Sequence, residues 1–230
     1  MTRKELMNYR DNCILMGVCE DETYNINGCI LKYTNPVWHL VRYEGDEEEV
    51  DLSELCDYVD DGAFEDNLFI RKIDLGSVIS VKDNAFAGAK NLEEVKGKFV
   101  ILLGPAAFFN CVRLRDVRLE SSINIERAAF YNCLELREIN LPKAIHIGNN
   151  SFENCFNLEY INIEALKTIQ ESTFENCIKL KTVKTKNLLE LGRKAFCNCL
   201  SLEKIQLKGV NKCSFALDNT PFDRKINKIL

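Results

Sequence analysis

The stretch Ala129-Phe-Tyr-Asn-Cys-Leu-Glu-Leu-Arg-Glu-Ile-Asn-Leu141 decides the fold, because versions of it recur along the chain every 22 residues. Its phenylalanine is one of seven in register: Phe64, Phe86, Phe108, Phe130, Phe152, Phe174 and Phe196. The whole chain contains only thirteen phenylalanines, so this spacing is not a product of chance. Self-similarity at one fixed interval is the signature of a repeat architecture.

Other positions keep the same interval. Three residues after the phenylalanine stand Cys111, Cys133, Cys155, Cys177 and Cys199, each preceded by an asparagine. Nine residues after it comes a β-branched residue: Ile73, Val95, Val117, Ile139, Ile161, Val183 and Ile205. β-branched residues favour strands, and within Leu158–Ile163 the side chains of Ile161 and Ile163 share a face with Asn162 opposite, as the period of two of a strand requires. We predict a strand there, a second short extended piece around Thr168 and Ile169, and a tight helical or 3₁₀ turn carrying the next phenylalanine.

One coil of 22 residues cannot bury its apolar positions alone, whereas stacked coils share a continuous core. The repeat resembles the BspA-like class of leucine-rich repeats over about Val50 to Phe215. Coils one and two depart from the pattern, with Asn67 and Ala89 in the cysteine position. The resemblance implies an α/β repeat solenoid, a right-handed leucine-rich-repeat superhelix with a parallel β-sheet on one face and short extended or 3₁₀ turns on the other. It also implies surface adhesion or ligand binding, the functions known in that class.

Three regions follow from this pattern. Residues 1–49 are predicted to form an N-terminal cap, with a short helix over Arg3–Arg10 and a β-hairpin made of Asn25–Tyr33 and Val37–Tyr43 around Asn35-Pro36. Residues 50–215 hold the seven repeats, and residues 216–230 form a C-terminal cap whose tail, from Asp223, is expected to add a last strand. Terminal coils need such covers because their apolar faces are otherwise open. Trp38 is expected to pack under the N-terminal cap.

Composition narrows the function. Hydrophobic residues make up 46% of the chain and the net charge is -5, which favours a folded protein and gives no electrostatic reason to expect nucleic acid as a partner. No apolar stretch reaches the roughly 20 residues of a membrane span. Met1–Asp11 is polar and charged, and the eleven cysteines are an odd number. We therefore expect the cytoplasm, or an extracellular location if the chain is a fragment of a longer precursor.

The sequence contains few signs of a catalytic or metal-binding site. The cysteine column is expected to be a small apolar filler of the core, since a line of thiols has the wrong shape for tetrahedral zinc. The two histidines, His39 and His146, have no catalytic motif around them, and the repeated asparagines suit backbone turns. We expect no catalytic residue, no metal and no cofactor, and hence no enzyme.

The candidate site is the polar face of the predicted sheet. At its centre stand Arg115, Arg118, Arg137, Asn140, Tyr160 and Asn162. Arginine and tyrosine are enriched where proteins bind one another, although such a face can also be solubilising decoration. The predicted function is a non-catalytic protein–protein interaction module that binds another protein, of unknown identity, through the concave face of the sheet. A cell-surface or secreted adhesin of BspA-like type is the alternative, and a monomer or weak homo-oligomer is expected.

Overall fold

The computed structural model describes residues 23–34, 36–212 and 215–223, together with Asn8. An antiparallel cap of three strands comes first: β1 (Thr23–Ile26), β2 (Cys29–Thr34) and β3 (Val37–Tyr43). The prediction of one strand across Asn25–Tyr33 is wrong. Asn27 and Gly28 have positive φ angles of 49° and 80°, which is the signature of a two-residue hairpin turn and divides that segment into β1 and β2.

The cap has a buried aromatic centre. Trp38 on β3 is fully buried, as predicted, and its ring centroid lies 5.7 Å from that of Tyr24 and 5.2 Å from that of Tyr33. The predicted helix over Arg3–Arg10 lies outside the described residues apart from Asn8.

After the cap the chain winds through short strands that alternate between two rows. In chain order these are β4 (Glu49–Asp51), β5 (Tyr58–Val59), β6 (Lys72–Asp74), β7 (Ser80–Val81), β8 (Glu94–Lys96), β9 (Leu102–Leu103), β10 (Asp116–Arg118), β11 (Asn124–Ile125), β12 (Glu138–Asn140), β13 (His146–Ile147), β14 (Tyr160–Asn162), β15 (Thr168–Ile169), β16 (Thr182–Lys184), β17 (Glu190–Leu191) and β18 (Asn211–Lys212).

The even-numbered strands from β4 to β16 form the first row, and the odd-numbered strands from β5 to β17 form the second row, which β18 closes. Paired strands within a row are parallel and in register one coil apart, as in Ile139 opposite Ile161. The cap strand β3 pairs with β5 in parallel, so the cap extends the second row. The described chain is therefore a parallel β-solenoid, as the repeat predicts.

The seven repeated phenylalanines form a stack along the core. Neighbouring ring centroids lie 4.7–5.4 Å apart and the rings are within 12° of parallel. Tyr43 of the cap continues this stack, with its centroid 4.9 Å from that of Phe64. Burying one such ring contributes on the order of 2–3 kcal/mol, which makes the stack a principal source of stability.

The cysteine and asparagine columns bond along the solenoid. Each column thiol donates to the carbonyl oxygen of the phenylalanine one coil earlier, as Cys133 does to Phe108 over 3.3 Å. Each asparagine has a positive φ, 58° at Asn132, and from Asn132 onward its Nδ2 donates to Oδ1 of the preceding asparagine. The cysteine is thus a buried filler, as predicted, and also a hydrogen-bond donor. The asparagine supplies the left-handed turn and a side-chain ladder.

The α/β class is not confirmed, because residues 36–212 contain no helix and the turns carrying the phenylalanines are neither helical nor 3₁₀. The right-handed superhelix and the three domain boundaries stay predictions. The tail after Asp223 lies outside the described residues, so its predicted strand is untested.

Candidate functional site

A groove of about 1270 Å³ lies on the outward face of the first row of strands. It is lined by residues of β10, β12 and the start of β14 with their flanking turns. Five of the six predicted site residues line it: Arg115, Arg118, Arg137, Asn140 and Tyr160. Asn162, the sixth, does not line the groove; it is only 8% exposed.

The groove coincides with an interruption of the first row. Gly97 N donates to Arg118 O over 2.9 Å, and Leu141 N donates to Asn162 O over 2.8 Å. No equivalent bond joins Leu119 N to Asn140 O, and β10 does not pair with β12. The first row therefore lacks ladder hydrogen bonds between coils three and four, where the groove opens, although the two coils stay stacked through Phe108 and Phe130. The second row has its interruption one coil later, between β13 and β15.

A like-charged step in a column of charges beside the strands coincides with this position. Just before each strand, the described residues form a column whose sign alternates from coil to coil except at one step: Glu48, Arg71, Glu93, Arg115, Arg137, Glu159, Lys181 and Glu203. Ion pairs join four of the alternating neighbours, including Arg71 to Glu93 at 2.7 Å and Lys181 to Glu159 at 2.6 Å. Arg115 and Arg137 form the one like-signed step, and like charges on adjacent strands repel. The like-charged step from Arg115 to Arg137 and the missing pairing of β10 with β12 fall between the same two coils.

The three groove arginines differ in their partners. Arg115 pairs with the nearly buried Glu93, and Arg118 holds both oxygens of Asp116, at 3.1 and 2.8 Å. The hydrogen bond from Arg71 lowers the pKa of Glu93, aided by the charge of Arg115. Arg137 is exposed and makes no ion pair or side-chain hydrogen bond with any residue that the structure describes. Its guanidinium is therefore available to a ligand.

Asn162 acts on the groove through Asn140. Its Nδ2 donates to Asn140 Oδ1 over 2.8 Å, which turns that oxygen toward β14. The Nδ2 of Asn140 is then left on the side of β10, where the groove opens. Asn162 Oδ1 is buried without a hydrogen-bond partner in the described structure. Asn162 therefore orients a groove residue from the next coil.

Five lining residues were absent from the sequence-based surface: Val117 and Ile139, which were assigned to the inward positions of the strands, and Glu120, Glu135 and Asn157. Glu120 and Glu135 lie in the turns that flank β10 and β12, and Asn157 precedes β14. The predicted surface contained only the outward positions of each strand, which lie beside the inward, buried ones. Turn residues also recur at the 22-residue interval, so the repeat pattern could have identified these positions as well.

The thiols and histidines are placed for packing rather than reaction. Burial raises the pKa of the Cys155 thiol to about 12, and it raises those of Cys133 and Cys177 well above the ordinary value. His39 Nδ1 lies 2.8 Å from Asp60 Oδ1, and His146 Nε2 lies 3.8 Å from Glu126 Oε2. Within the described part of the chain, no three His, Cys, Asp or Glu side chains are grouped to hold a metal.

Two rows of short parallel strands around stacked leucines and phenylalanines define a leucine-rich-repeat solenoid. The BspA type leucine rich repeat region matches residues 46–125 and 101–219, with six copies. The chain therefore belongs to the BspA type of leucine-rich-repeat proteins, as the repeat pattern indicated.

Solved structures share the fold. The leucine-rich repeat protein of T. pallidum is 23% identical with a TM-score of 0.71, and the match covers 79% of this chain and 91% of that one. A leucine-rich repeat protein of Eubacterium ventriosum is 21% identical with a TM-score of 0.56, over 84% of this chain and 50% of that one. At these identities the likeness concerns the fold alone. No curated protein matches the sequence. Among the described residues there is no helix with the length and apolarity to cross a bilayer.

Proposed function

We propose that this protein is a non-catalytic protein–protein interaction module that binds a partner protein through the groove on its first row of strands. The observation that carries the proposal is the groove itself, which opens at the interruption between β10 and β12 and presents Arg137, a residue without an ion pair in the described part of the chain. Leucine-rich-repeat solenoids generally serve as interaction modules, because stacked coils present an extended surface.

The residue types and charges that line the groove are suited to binding a protein. Arg137 and Tyr160 are residue types enriched at the energetic centres of protein interfaces. Three arginines in the lining face five carboxylates, on Asp116, Glu120, Glu135, Glu138 and Glu159. A polyanion such as nucleic acid is repelled by this excess, whereas a protein segment of mixed charge is not.

We also propose that the protein is not an enzyme and that it is located in a reducing compartment. The raised thiol pKa values oppose a cysteine nucleophile, since the thiolate is the reactive form. All eight cysteines that the structure describes are free and buried, which supports a reducing compartment such as the cytoplasm. A monomer or weak homo-oligomer is proposed with it. Fractionation of the native cells tests the location.

Affinity capture from the native host's lysate tests the binding face. Three baits are compared: the wild type, a variant with Arg115, Arg118 and Arg137 changed to Glu, and a matched variant with Arg127, Lys143 and Arg193 changed to Glu. The matched variant carries the same charge change outside the groove. Circular dichroism and thermal unfolding establish that all three are folded.

The expected result is a protein that the wild type and the matched variant retain and the groove variant loses. Equal capture by all three moves the site away from the groove. No capture by any bait contradicts an intracellular interaction module and favours an extracellular ligand.

A further inference from the structure

The column of alternating charge lacks one carboxylate. Every other neighbouring pair in it combines an acid and a base, and Glu93 lies between Arg71 and Arg115 as the bridge that such a column makes. Between Arg115 and Arg137 the strands are unpaired and no carboxylate of the column intervenes. Two guanidinium groups therefore flank a slot at the floor of an open groove.

Hydrogen-bond donors surround that slot. The guanidinium of Arg137 is unpaired among the described residues, and Asn140 Nδ2 is left on the side of β10 by the bond that Asn162 makes to its oxygen. Where the row is interrupted, the backbone N–H of Arg137 has no bond to Arg115 O, although Glu159 N donates to Arg137 O one coil later. Donors of these kinds recognise a carboxylate, which accepts bidentate bonds from arginine.

We propose that the groove takes up one carboxylate of an aspartate or glutamate side chain on the partner protein, held by Arg137 and Asn140 with Arg115 opposite. The partner's acid completes the alternation that this chain leaves open. This inference rests on the proposed interaction function and names the chemistry of its partner.

Carboxylates at the edge of the groove, its rim, select the residues that stand beside the partner's acidic side chain. Glu138, beside Arg137, makes no ion pair with any described residue, and Glu120 and Glu135 add two more carboxylates at the two ends of the groove. A run of acids is repelled by this rim, as is a dianionic phosphate, because like charges in contact cost affinity. The structure therefore assigns a segment in which a single acid stands between basic residues.

The probes that test this are the tripeptide N-acetyl-Lys-Glu-Lys-amide and its analogue with Gln in place of Glu. The measured signals are the arginine Nε–Hε resonances of the isotopically labelled full chain, with that of Arg137 assigned by Arg137→Lys. Binding of the Glu peptide should shift the Arg137 resonance in a saturable way. The Gln peptide should bind at least about tenfold more weakly, because it lacks the charge that strengthens the bonds.

Two variants provide the comparison. Arg137→Gln should weaken binding of the Glu peptide by about tenfold or more. Arg113→Gln should leave binding unchanged, since Arg113 bonds to Asn91 Oδ1 over 3.0 Å and does not line the groove.

Three results overturn the inference: no saturable shift at Arg137, equal binding of the Glu and Gln peptides, or tighter binding of a third analogue, with phosphoserine in place of Glu, than of the Glu peptide. Its failure is distinguishable from failure of the proposed function. A captured partner that the triple groove variant loses but Arg137→Gln retains leaves the interaction module standing without the carboxylate slot.

Discussion

Asn154 Nδ2 donates a 2.9 Å hydrogen bond to Oδ1 of Asn132, and the same bond recurs from coil to coil up to Asn219. Asn154 also has a φ of 61°, in the left-handed region that most side chains avoid. One residue type thus meets two requirements, a turn conformation and a polar ladder along the stack.

Substitutions at Asn154 separate these two contributions. Asn154→Gly loses the two ladder bonds but keeps the backbone conformation, at a cost of about 2 kcal/mol in the free energy of unfolding. Asn154→Ala loses the bonds and also strains the backbone, so it should cost about 3 kcal/mol. Urea unfolding measures both. Equal costs for the two variants would show that the conformation contributes nothing.

Ala128 offers the reverse test, because its φ of 57° is unfavourable for alanine. Ala128→Gly should stabilise the protein by about 0.5–1 kcal/mol, since relief of the strain exceeds the added entropy of the unfolded chain. The neighbouring Ala129→Gly, where φ is not positive and the side chain is fully buried, should instead destabilise by about 1 kcal/mol. Thermal unfolding of the pair checks the prediction, which fails if both variants shift the midpoint in the same direction.

The phenylalanine stack predicts a large core effect. Phe130→Ala removes a fully buried ring that lies between Phe108 and Phe152, and should destabilise by about 3–5 kcal/mol. Phe109→Ala is the surface control, because its half-buried ring stacks only on Tyr131 at 5.1 Å, and should cost about 1 kcal/mol. Urea unfolding again provides the measurement, and similar costs at the two positions would contradict a core role for the stack.

The buried thiols predict a loss of stability in alkali. The folded pKa of Cys155, about 12, lies above that of an unfolded thiol, so only the unfolded chain releases this proton as the pH first rises. The contribution is complete below about pH 8.5 and is lost progressively above it, by about 2 kcal/mol at pH 10.

Cys155→Ala isolates that contribution from the other groups that titrate in alkali. The fall in unfolding free energy between pH 7 and pH 10 should be about 2 kcal/mol smaller in the variant than in the wild type. Chemical denaturation at the two pH values measures this difference. An identical fall in both proteins would mean that the thiol also ionises in the folded state.

Much of the fold was predictable because its determinants repeat. The phenylalanine interval identified the coils, and the alternation around Ile161 identified the strands of the first row. The turn at Asn27-Gly28 was missed in a cap that has no repeat to support its assignment, although that dipeptide is a strong hairpin signal. The α/β label is not confirmed, because it was taken from the resemblance to a class of leucine-rich repeats and not from the residues of the coil.

The candidate site was predictable only in part. The outward positions of β10 and β12 follow from the period of two, and five of the six chosen residues line the groove. Alternation did not indicate the burial of Asn162, because it gives the direction of a side chain, whereas burial depends on neighbours in adjacent coils.

The sequence by itself determined the solenoid, the stacked phenylalanine core and the family, because each depends on residues at a constant interval along one chain. Only the tertiary structure showed that β10 and β12 are not paired, that Arg137 makes no ion pair with any described residue and that Asn162 orients Asn140. These features depend on distances between side chains in neighbouring coils. Coulombic repulsion and hydrogen bonding act across those distances, whereas a repeat pattern records only the order of residues along the chain.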